Sequence, residues 1–376
     1  MSAKIWLSSP HLGCEEMKYI QEAFAQNWVA PLGANVDGFE QDLENYLSEN
    51  RKVAVVNTGT AGIHLALRML GVSKNDEVLC QSLTFCASAN PIVYQGATPI
   101  LVDSEPKTWN ICPNILEEAI KDRLKKGKKP KAMIIVHIYG MPAKVKEILE
   151  VSKKYEIPII EDTAEALGSQ YQGRKCGTFG DFSVLSFNGN KIITTSGGGA
   201  LVCKTSEEKK QAIFLSTQAR DEASHYQHSE IGYNYRMSNI CAGIGRGQME
   251  VLEDRIVARR RNHRFYQELF KPIDGIEVFS EPDDDFFSNH WLSVVQLDKK
   301  KLGFDREDLR QKFLEENIET RPVWKPLHLQ PVFADVAYYG GNVAENLFKN
   351  GLCLPSGSNL TKEDLDRIKT LVYSIL

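Results

Sequence analysis

Short apolar, β-branched segments recur along the first part of this 376-residue chain, with helical patterns between them. Strands that alternate with helices long enough to act as crossovers are typical of parallel sheets. The alternation therefore predicts an α/β fold in which a mostly parallel central sheet carries helices on both faces. The strand-like segments are residues 53–56, 78–81, 99–102, 133–138, 158–160, 182–187 and 200–203, and the helical ones are 61–70, 115–124 and 144–154.

The pattern changes in the last third of the chain. Residues 239–270 are predicted to form one long connecting helix, followed by a strand at 289–297 and helices at 306–315 and 362–375. A chain of this length exceeds one ordinary core. We therefore expect a large domain with the N-terminal segment at 1–250 and a smaller C-terminal α+β domain at 251–376.

Composition excludes several classes of protein. A formal net charge of -4 and a charged fraction of 25% are those of an ordinary globular protein, so the basic runs 125–131 and 259–261 are interpreted as a solvated turn and an exposed helix face, not as a nucleic-acid site. The eight cysteines show no CxxC pair and no metal-ligand spacing, so we expect no metal and a reducing cytoplasm. No run approaches the roughly 18 apolar residues of a membrane span.

A lysine follows one of the predicted strands. The apolar segment 182–187 leads through Asn188-Gly189-Asn190 to Lys191, and a triple glycine follows at 197–199. A lysine just beyond a buried strand tends to be desolvated and reactive. A surface lysine in a loop between two strands explains the segment equally well.

A second segment has the composition of a phosphate cradle. The strand at 53–56 enters a helix through Asn57, Thr58, Gly59, Thr60 and Ala61. Glycine lets the backbone approach an anion, the free N–H groups of a helix N-terminus point towards it, and Thr60 can add a hydroxyl donor. An ordinary N-cap at Thr58 or Thr60 is the alternative. Neither GxxxxGK[ST] nor GxGxxG is present, which disfavours triphosphate-binding proteins and NAD-dependent Rossmann enzymes.

Two further residues suit a planar, nitrogen-containing ring. Asp162 ends an apolar strand, where open α/β sheets bind ligands, and it could keep a ring nitrogen protonated; a magnesium site would need further carboxylates. Phe85 alone would be interpreted as core, but beside these groups it fits a lid stacked on the ring. Phosphate cradle, acid, aromatic and lysine together describe a pyridoxal 5'-phosphate (PLP) site.

On these motifs the chain resembles the DegT-like sugar-nucleotide aminotransferases over nearly its whole length. That family has the aspartate aminotransferase fold, PLP fold type I, so the resemblance implies this fold, PLP and transamination. The matching segments are 57–61, 161–168, 177–181, 186–191 with 197–199, and 232–237.

The resemblance also implies a role for each position. Lys191 binds the cofactor covalently and then moves the proton to and from the substrate carbon, while Asp162 pairs with the pyridinium nitrogen. Phe85 stacks on the ring, and Glu165 lies near its phenolic oxygen. A residue of the neighbouring subunit reaches the phosphate, which implies a homodimer. The residues implied to bind the phosphate end of the cofactor are Gly59, Thr60, the Ala61 amide, Ser186 and, across the subunit interface, Asn234.

Within this family, segments 7–11, 30–33, 216–220, 319–325 and 353–357 most resemble the 4-aminotransferases of the UDP-N-acetylbacillosamine pathway. This implies L-glutamate as amino donor and a UDP-linked 4-keto-6-deoxy-N-acetylhexosamine as acceptor, with Arg220, Trp324 and His328 on the nucleotide-sugar side. An aminotransferase acting at C3 or C4 of a dTDP- or GDP-linked sugar is an open alternative. Related sugar dehydratases carry histidine in place of the lysine, and a non-catalytic relative would tolerate loss of Lys191 or Asp162; both residues are present.

Overall fold

The predicted strands of the first part of the chain form one sheet in the computed structural model, which describes residues 3–375. The strands are β1 (Lys52–Val56), β2 (Glu77–Gln81), β3 (Thr98–Val102), β4 (Ala132–Val136), β5 (Ile159–Asp162), β6 (Gln170–Tyr171), β7 (Arg174–Lys175), β8 (Phe182–Ser186), β9 (Gly199–Cys203), β10 (Ile276–Val278), β11 (Phe286–Phe287), β12 (Ser293–Leu297), β13 (Arg321–Pro322), β14 (Tyr338–Tyr339) and β15 (Gly351–Leu354).

Helices flank these strands. The α-helices are α1 (Glu16–Ala25), α2 (Ala34–Leu47), α3 (Gly59–Met69), α4 (Asn90–Tyr94), α5 (Pro113–Lys125), α6 (Val145–Tyr155), α7 (Ser206–Ser216), α8 (Asn239–Met249), α9 (Leu252–Phe270), α10 (Lys299–Leu302), α11 (Arg306–Glu315), α12 (Val343–Asn350) and α13 (Lys362–Ile375).

The central sheet has the strand order β1-β9-β8-β5-β4-β2-β3-β14. All pairings from β8 to β14 are parallel, whereas β9 pairs antiparallel with both β1 and β8. Within this sheet, β9 is therefore the strand that runs against the other seven. The predicted α/β fold with a mostly parallel sheet is confirmed.

Both faces of the sheet are covered, because alternate side chains of each strand point to opposite faces. On β4, Ile134 packs into a core beneath α3, α4 and α7, and Ile135 packs into a second core against α5 and α6. Helix α3 lies close to the sheet: a Cβ on Gly62 would come within 3.0 Å of Val184 Cγ1. The close approach holds the first turn of α3 at the end of the neighbouring strands.

The C-terminal part builds an antiparallel sheet, β10-β12-β15-β13, whose core also contains side chains of α9, α11 and α13. This is the predicted smaller α+β unit. Two later strands join earlier ones: β11 pairs with β6, and β14 extends the edge of the central sheet beside β3. The domain boundary at residue 250 stays a prediction.

Two expectations about the connecting helix are wrong. The segment 239–270 is broken at Glu250 and Val251 into α8 and α9, because α8 packs on α1 and α2 whereas α9 packs on β10 and β12. The basic run 259–261 is not wholly an exposed face, since Arg259 is only 1% exposed and donates to the backbone carbonyls of Trp291 and Ser356. Backbone carbonyls of the C-terminal unit replace water around this guanidinium.

No helix within residues 3–375 is both long enough and apolar enough to cross a bilayer. The cysteines are all free thiols, and Cys80, Cys176, Cys203 and Cys353 are buried. The cytoplasmic location stays a prediction.

Candidate active site

A cavity of about 540 Å³ opens at the carboxyl edge of the central sheet, facing the C-terminal unit. Asp162 at the end of β5 and Ser186 at the end of β8 line it, as do Thr58 and Gly59 beyond the end of β1. Leu292, just before β12, lines the opposite wall. Open α/β sheets place ligands at this edge.

Lys191 projects into this cavity. It follows β8 through a turn, and its side chain is 12% exposed. Its Nζ lies 3.5 Å from Glu165 Oε1 and 4.1 Å from the centroid of the Trp291 ring. Of the two interpretations left open by the sequence, the structure therefore has the enclosed lysine and not the surface one.

The start of α3 forms a cradle for an anion. Thr58 is the N-cap: its Oγ1 accepts from Ala61 N at 3.0 Å, and its carbonyl accepts from Gly62 N at 3.2 Å. Since the first four N–H groups of a helix lack intrahelical partners, those of Gly59 and Thr60 are left for a ligand. The N-cap and the cradle are thus the same structure. The Ala61 amide, expected at the phosphate, is engaged by Thr58, so its direct role stays a prediction.

Asp162 is a buried carboxylate on the cavity wall. Its Oδ2 accepts from Ser88 Oγ at 2.7 Å and its Oδ1 from Ala164 N at 3.1 Å. Burial raises the pKa of Asp162, and these two hydrogen bonds oppose the increase. A buried carboxylate of this kind is best satisfied by a cationic donor, which a protonated ring nitrogen would provide.

Glu165 lies between Lys191 and Tyr139. Its Oε2 accepts from Tyr139 N at 2.6 Å, and its Oε1 faces Lys191. Burial raises the pKa of Glu165 to about 7, against the opposing charge of Lys191. The carboxyl group can therefore donate or accept a hydrogen bond at neutral pH.

Aromatic side chains form the mouth of the cavity. Phe85 precedes a short turn at Cys86–Ser88, is 56% exposed, and lies 5.4 Å from Trp324 between ring centroids. Trp324 also lines the cavity, and its backbone N donates to Tyr139 Oη at 3.0 Å. The two rings are available for a flat ligand entering from solvent.

Three predicted residues lie outside this cavity in the single chain. Asn234 is exposed, and its carbonyl accepts from Asn57 Nδ2 at 3.3 Å. Arg220 is exposed too, with its guanidinium 4.5 Å from the Tyr226 ring. His328 is held elsewhere, by Ser82 Oγ at 2.7 Å and by Glu345 at 3.2 Å. The roles expected of these three residues stay predictions.

Sequence reasoning also missed residues that belong to the site. Ser88 bonds Asp162, Tyr139 bonds Glu165, and Trp291 faces Lys191. Trp291 was visible only as part of the strand pattern at 289–297. No local motif links it to a lysine a hundred residues earlier, so only the fold reveals the contact.

The residues present fit PLP. The cradle at α3 offers amides and the hydroxyls of Thr60 and Ser186 to a phosphate, and glycine suits this close approach, since a Cβ on Gly59 would make a tight contact of 3.2 Å with Ser186 Cβ. Asp162 can pair with the ring nitrogen, and the Lys191 amine shares the cavity. The donor set matches the phosphate, the ring nitrogen and the aldehyde of this cofactor.

Known proteins resemble this chain over nearly its whole length. A profile of the DegT/DnrJ/EryC1/StrS aminotransferase family matches residues 10–372. EpsN of Bacillus subtilis (strain 168) is 49% identical over 98% of this chain and 95% of its own. GDP-perosamine synthase of Escherichia coli O157:H7 is 37% identical over 95% of this chain and 94% of its own. The solved PLP form of Spr1654 from Streptococcus pneumoniae has a TM-score of 0.89 at 25% identity, covering 100% of both chains. The predicted family is thereby confirmed: the chain belongs to the DegT/DnrJ/EryC1/StrS aminotransferase family and is a PLP-dependent sugar aminotransferase.

Proposed function

We propose that this enzyme transfers the amino group of L-glutamate to C4 of a UDP-linked 4-keto-6-deoxy-N-acetylhexosamine. The observation that carries the chemistry is one cavity containing the Lys191 amine, the buried Asp162 carboxylate and the amide cradle of α3. A nucleotide sugar is supported by the mouth, where Phe85 and Trp324 offer apolar faces. Arg321 also lines the cavity, and it could bind a diphosphate only by exchanging its ion pair with Glu319 at 2.8 Å.

The residues divide the work of a ping-pong transamination. Bound PLP supplies the carbonyl that takes up the amino group and a ring that accepts electrons. Lys191 binds it through Nζ and afterwards moves the proton at the substrate carbon. Asp162 holds the proton on the ring nitrogen, and Gly59, Thr60 and Ser186 fix the phosphate. Glutamate leaves as 2-oxoglutarate before the keto-sugar binds, so both substrates use the same residues.

We further propose a homodimer in which Asn234 serves the cofactor of the neighbouring subunit. What supports this is that Asn234 is exposed and outside the cavity of its own chain. Mixing Lys191→Ala with Asn234→Ala subunits tests it. Each variant alone should be nearly inactive, and mixed dimers should regain activity, because one site then combines an intact Lys191 with an intact Asn234. Absence of recovery in verified mixed dimers would contradict the shared site.

A GDP-linked 4-keto-6-deoxyhexose is the second candidate acceptor. It is favoured by the likeness to GDP-perosamine synthase across almost the entire chain. Both candidates require the same chemistry at Lys191, so only the nucleotide and the sugar differ.

Absorbance spectroscopy tests the proposal. L-glutamate should replace the visible absorbance band of the bound PLP by that of its aminated form. A panel of UDP-, GDP- and dTDP-linked 4-keto sugars should then show which acceptor restores the PLP band. Recovery with the UDP sugar supports the first candidate, and recovery only with another nucleotide refutes it. Lys191→Ala is the control: it should bind PLP without covalent attachment and lose turnover, and normal turnover would refute the role of Lys191.

A further inference from the structure

Trp291 forms two contacts with the segment that carries Lys191. Its side chain is buried, and its ring centroid lies 4.1 Å from Lys191 Nζ. Its Nε1–H donates to the carbonyl of Asn190 at 2.7 Å. One indole therefore contacts the head of the lysine side chain and the peptide group just before it.

The same carbonyl has a second donor. Ser8 Oγ donates to Asn190 O at 2.7 Å, so the peptide preceding Lys191 is held from the N-terminal segment and from the C-terminal unit together. A backbone carbonyl with two side-chain donors has little freedom to rotate, and this fixes the direction in which the lysine leaves the chain.

Arg259 binds both residues that donate to the Asn190 carbonyl, Trp291 and Ser8. Its guanidinium donates to the Trp291 carbonyl, to Ser8 Oγ at 2.9 Å and to the Ser356 carbonyl at 3.2 Å. Among the described residues, its Nε has no hydrogen-bond partner. Burial lowers the pKa of Arg259 to about 9. A buried cation without a carboxylate costs stability. The hydrogen bonds of Arg259 hold the backbone of Trp291 and the hydroxyl of Ser8 next to each other.

We propose that Trp291 is a positioning residue for Lys191, with its indole face supporting the amine and its N–H fixing the backbone at Asn190. The inference rests on the proposed role of Lys191. A free lysine side chain has many rotamers. During turnover the amine is released from the cofactor and must stay at the reacting carbon, and the indole holds it there.

The consequence is specific to proton transfer. Loss of the indole leaves the cradle and Asp162 in place, so binding of glutamate should change little. The step that needs the amine at the substrate carbon should become slower. A merely structural tryptophan would instead lower stability without changing the rate per bound cofactor.

The experiment compares Trp291→Leu, which loses both contacts, with Trp291→Phe, which keeps a ring face, and with Ser8→Ala, which removes the other donor to Asn190 together with one acceptor of Arg259. The matched control is Trp109→Leu, because Trp109 is similarly buried but stacks on Phe279 outside the cavity lining. The holoenzymes are mixed with L-glutamate under single-turnover conditions, with protium or deuterium at the α-carbon. The rate of covalent PLP attachment to each cofactor-free variant is measured separately.

Trp291→Leu should slow the glutamate half-reaction about tenfold per bound cofactor, from the size of a desolvated cation–π contact. The deuterium isotope effect should rise, the KM for glutamate should stay within about twofold, and covalent PLP attachment should slow. Trp291→Phe and Ser8→Ala should each slow the glutamate half-reaction about threefold, which is the effect expected from the loss of one hydrogen bond. Trp109→Leu should retain the wild-type rate.

An unchanged rate and isotope effect in Trp291→Leu, or an equal loss in Trp109→Leu, would overturn the inference. These measurements use only the glutamate half-reaction, so they do not depend on which nucleotide sugar is the acceptor. Failure of the Lys191→Ala prediction would refute the proposed function, whereas a normal Trp291→Leu refutes only the positioning role.

Discussion

Replacing Gly199 with alanine would disturb the phosphate cradle at the start of α3, because Gly199, on β9, packs against it. Gly199 begins β9, where it pairs with Val56 on one side and Ser186 on the other. A Cβ there would overlap the backbone nitrogen of Gly59 and lie 2.5 Å from the carbonyl carbon of Thr58. Because these are backbone atoms, no rotamer change can relieve the overlap, and the loop entering α3 must move.

The expected cost follows from that geometry. Forced backbone shifts in a packed region typically cost about 1–3 kcal/mol of stability. Each hydrogen bond to a charged group contributes about 1.5–3 kcal/mol, so loss of one cradle donor should weaken PLP binding about 10- to 100-fold. Urea unfolding of the cofactor-free protein measures the first effect, and an absorbance titration with PLP measures the second.

Gly189→Ala is the matched control, since a Cβ at Gly189 would make only an ordinary contact, 3.7 Å from Pro10 Cγ. Its stability should stay within about 0.5 kcal/mol of the wild type, and its PLP affinity should be unchanged. If Gly199→Ala bound PLP as tightly as Gly189→Ala, the cradle would not depend on this approach of β9, and the reasoning would be wrong.

Asp162→Asn should lower kcat by at least about 100-fold, because an amide cannot hold the ring proton by charge. Ser88→Ala removes one hydrogen bond to Asp162 and one to Thr84 but keeps the carboxylate, so it should lower kcat much less. Comparable losses of kcat in steady-state assays would contradict this. Glu165 has a folded pKa of about 7 against an ordinary value of 4.5. The raised pKa of Glu165 stabilises the fold fully below pH 4.5, and this stabilisation is lost as pH rises through about 7. Between pH 4 and pH 8, the free energy of unfolding of the cofactor-free wild type should therefore fall by up to about 3 kcal/mol more than that of Glu165→Gln. Urea unfolding at both pH values checks the sign, and a smaller loss in the wild type would contradict it.

Much of the site was predictable because parallel strands deliver their carboxyl ends to one edge. Asp162 ends β5, and Thr58 and Gly59 follow β1, so local composition was enough to bring these residues together. Ser186, at the end of the neighbouring β8, was assigned to the phosphate through the resemblance. Apolar periodicity likewise placed seven of the eight strands of the central sheet to within a few residues, but it did not predict β14 at its edge.

The remaining features depend on contacts between distant parts of the chain. Whether Lys191 was enclosed or exposed depended on Trp291, which arrives from the C-terminal unit. The burial of Arg259 depended on carbonyls of that same unit, and its basic neighbours gave the opposite impression. Asn234 was assigned through resemblance alone, and its own chain leaves it outside the cavity.

The direction of β9 explains why this edge of the sheet can bind an anion. Its neighbours β1 and β8 end at the cavity, but β9 runs in the opposite direction and therefore begins there. Its first residue, Gly199, pairs with Val56 on one side and with Ser186 on the other. Any side chain on that first residue would occupy the space into which the start of α3 must fit. The glycine at 199 is thus required by the topology. Because that strand start is bare, the amides of α3 and the hydroxyl of Ser186 can converge on one phosphate beside Lys191.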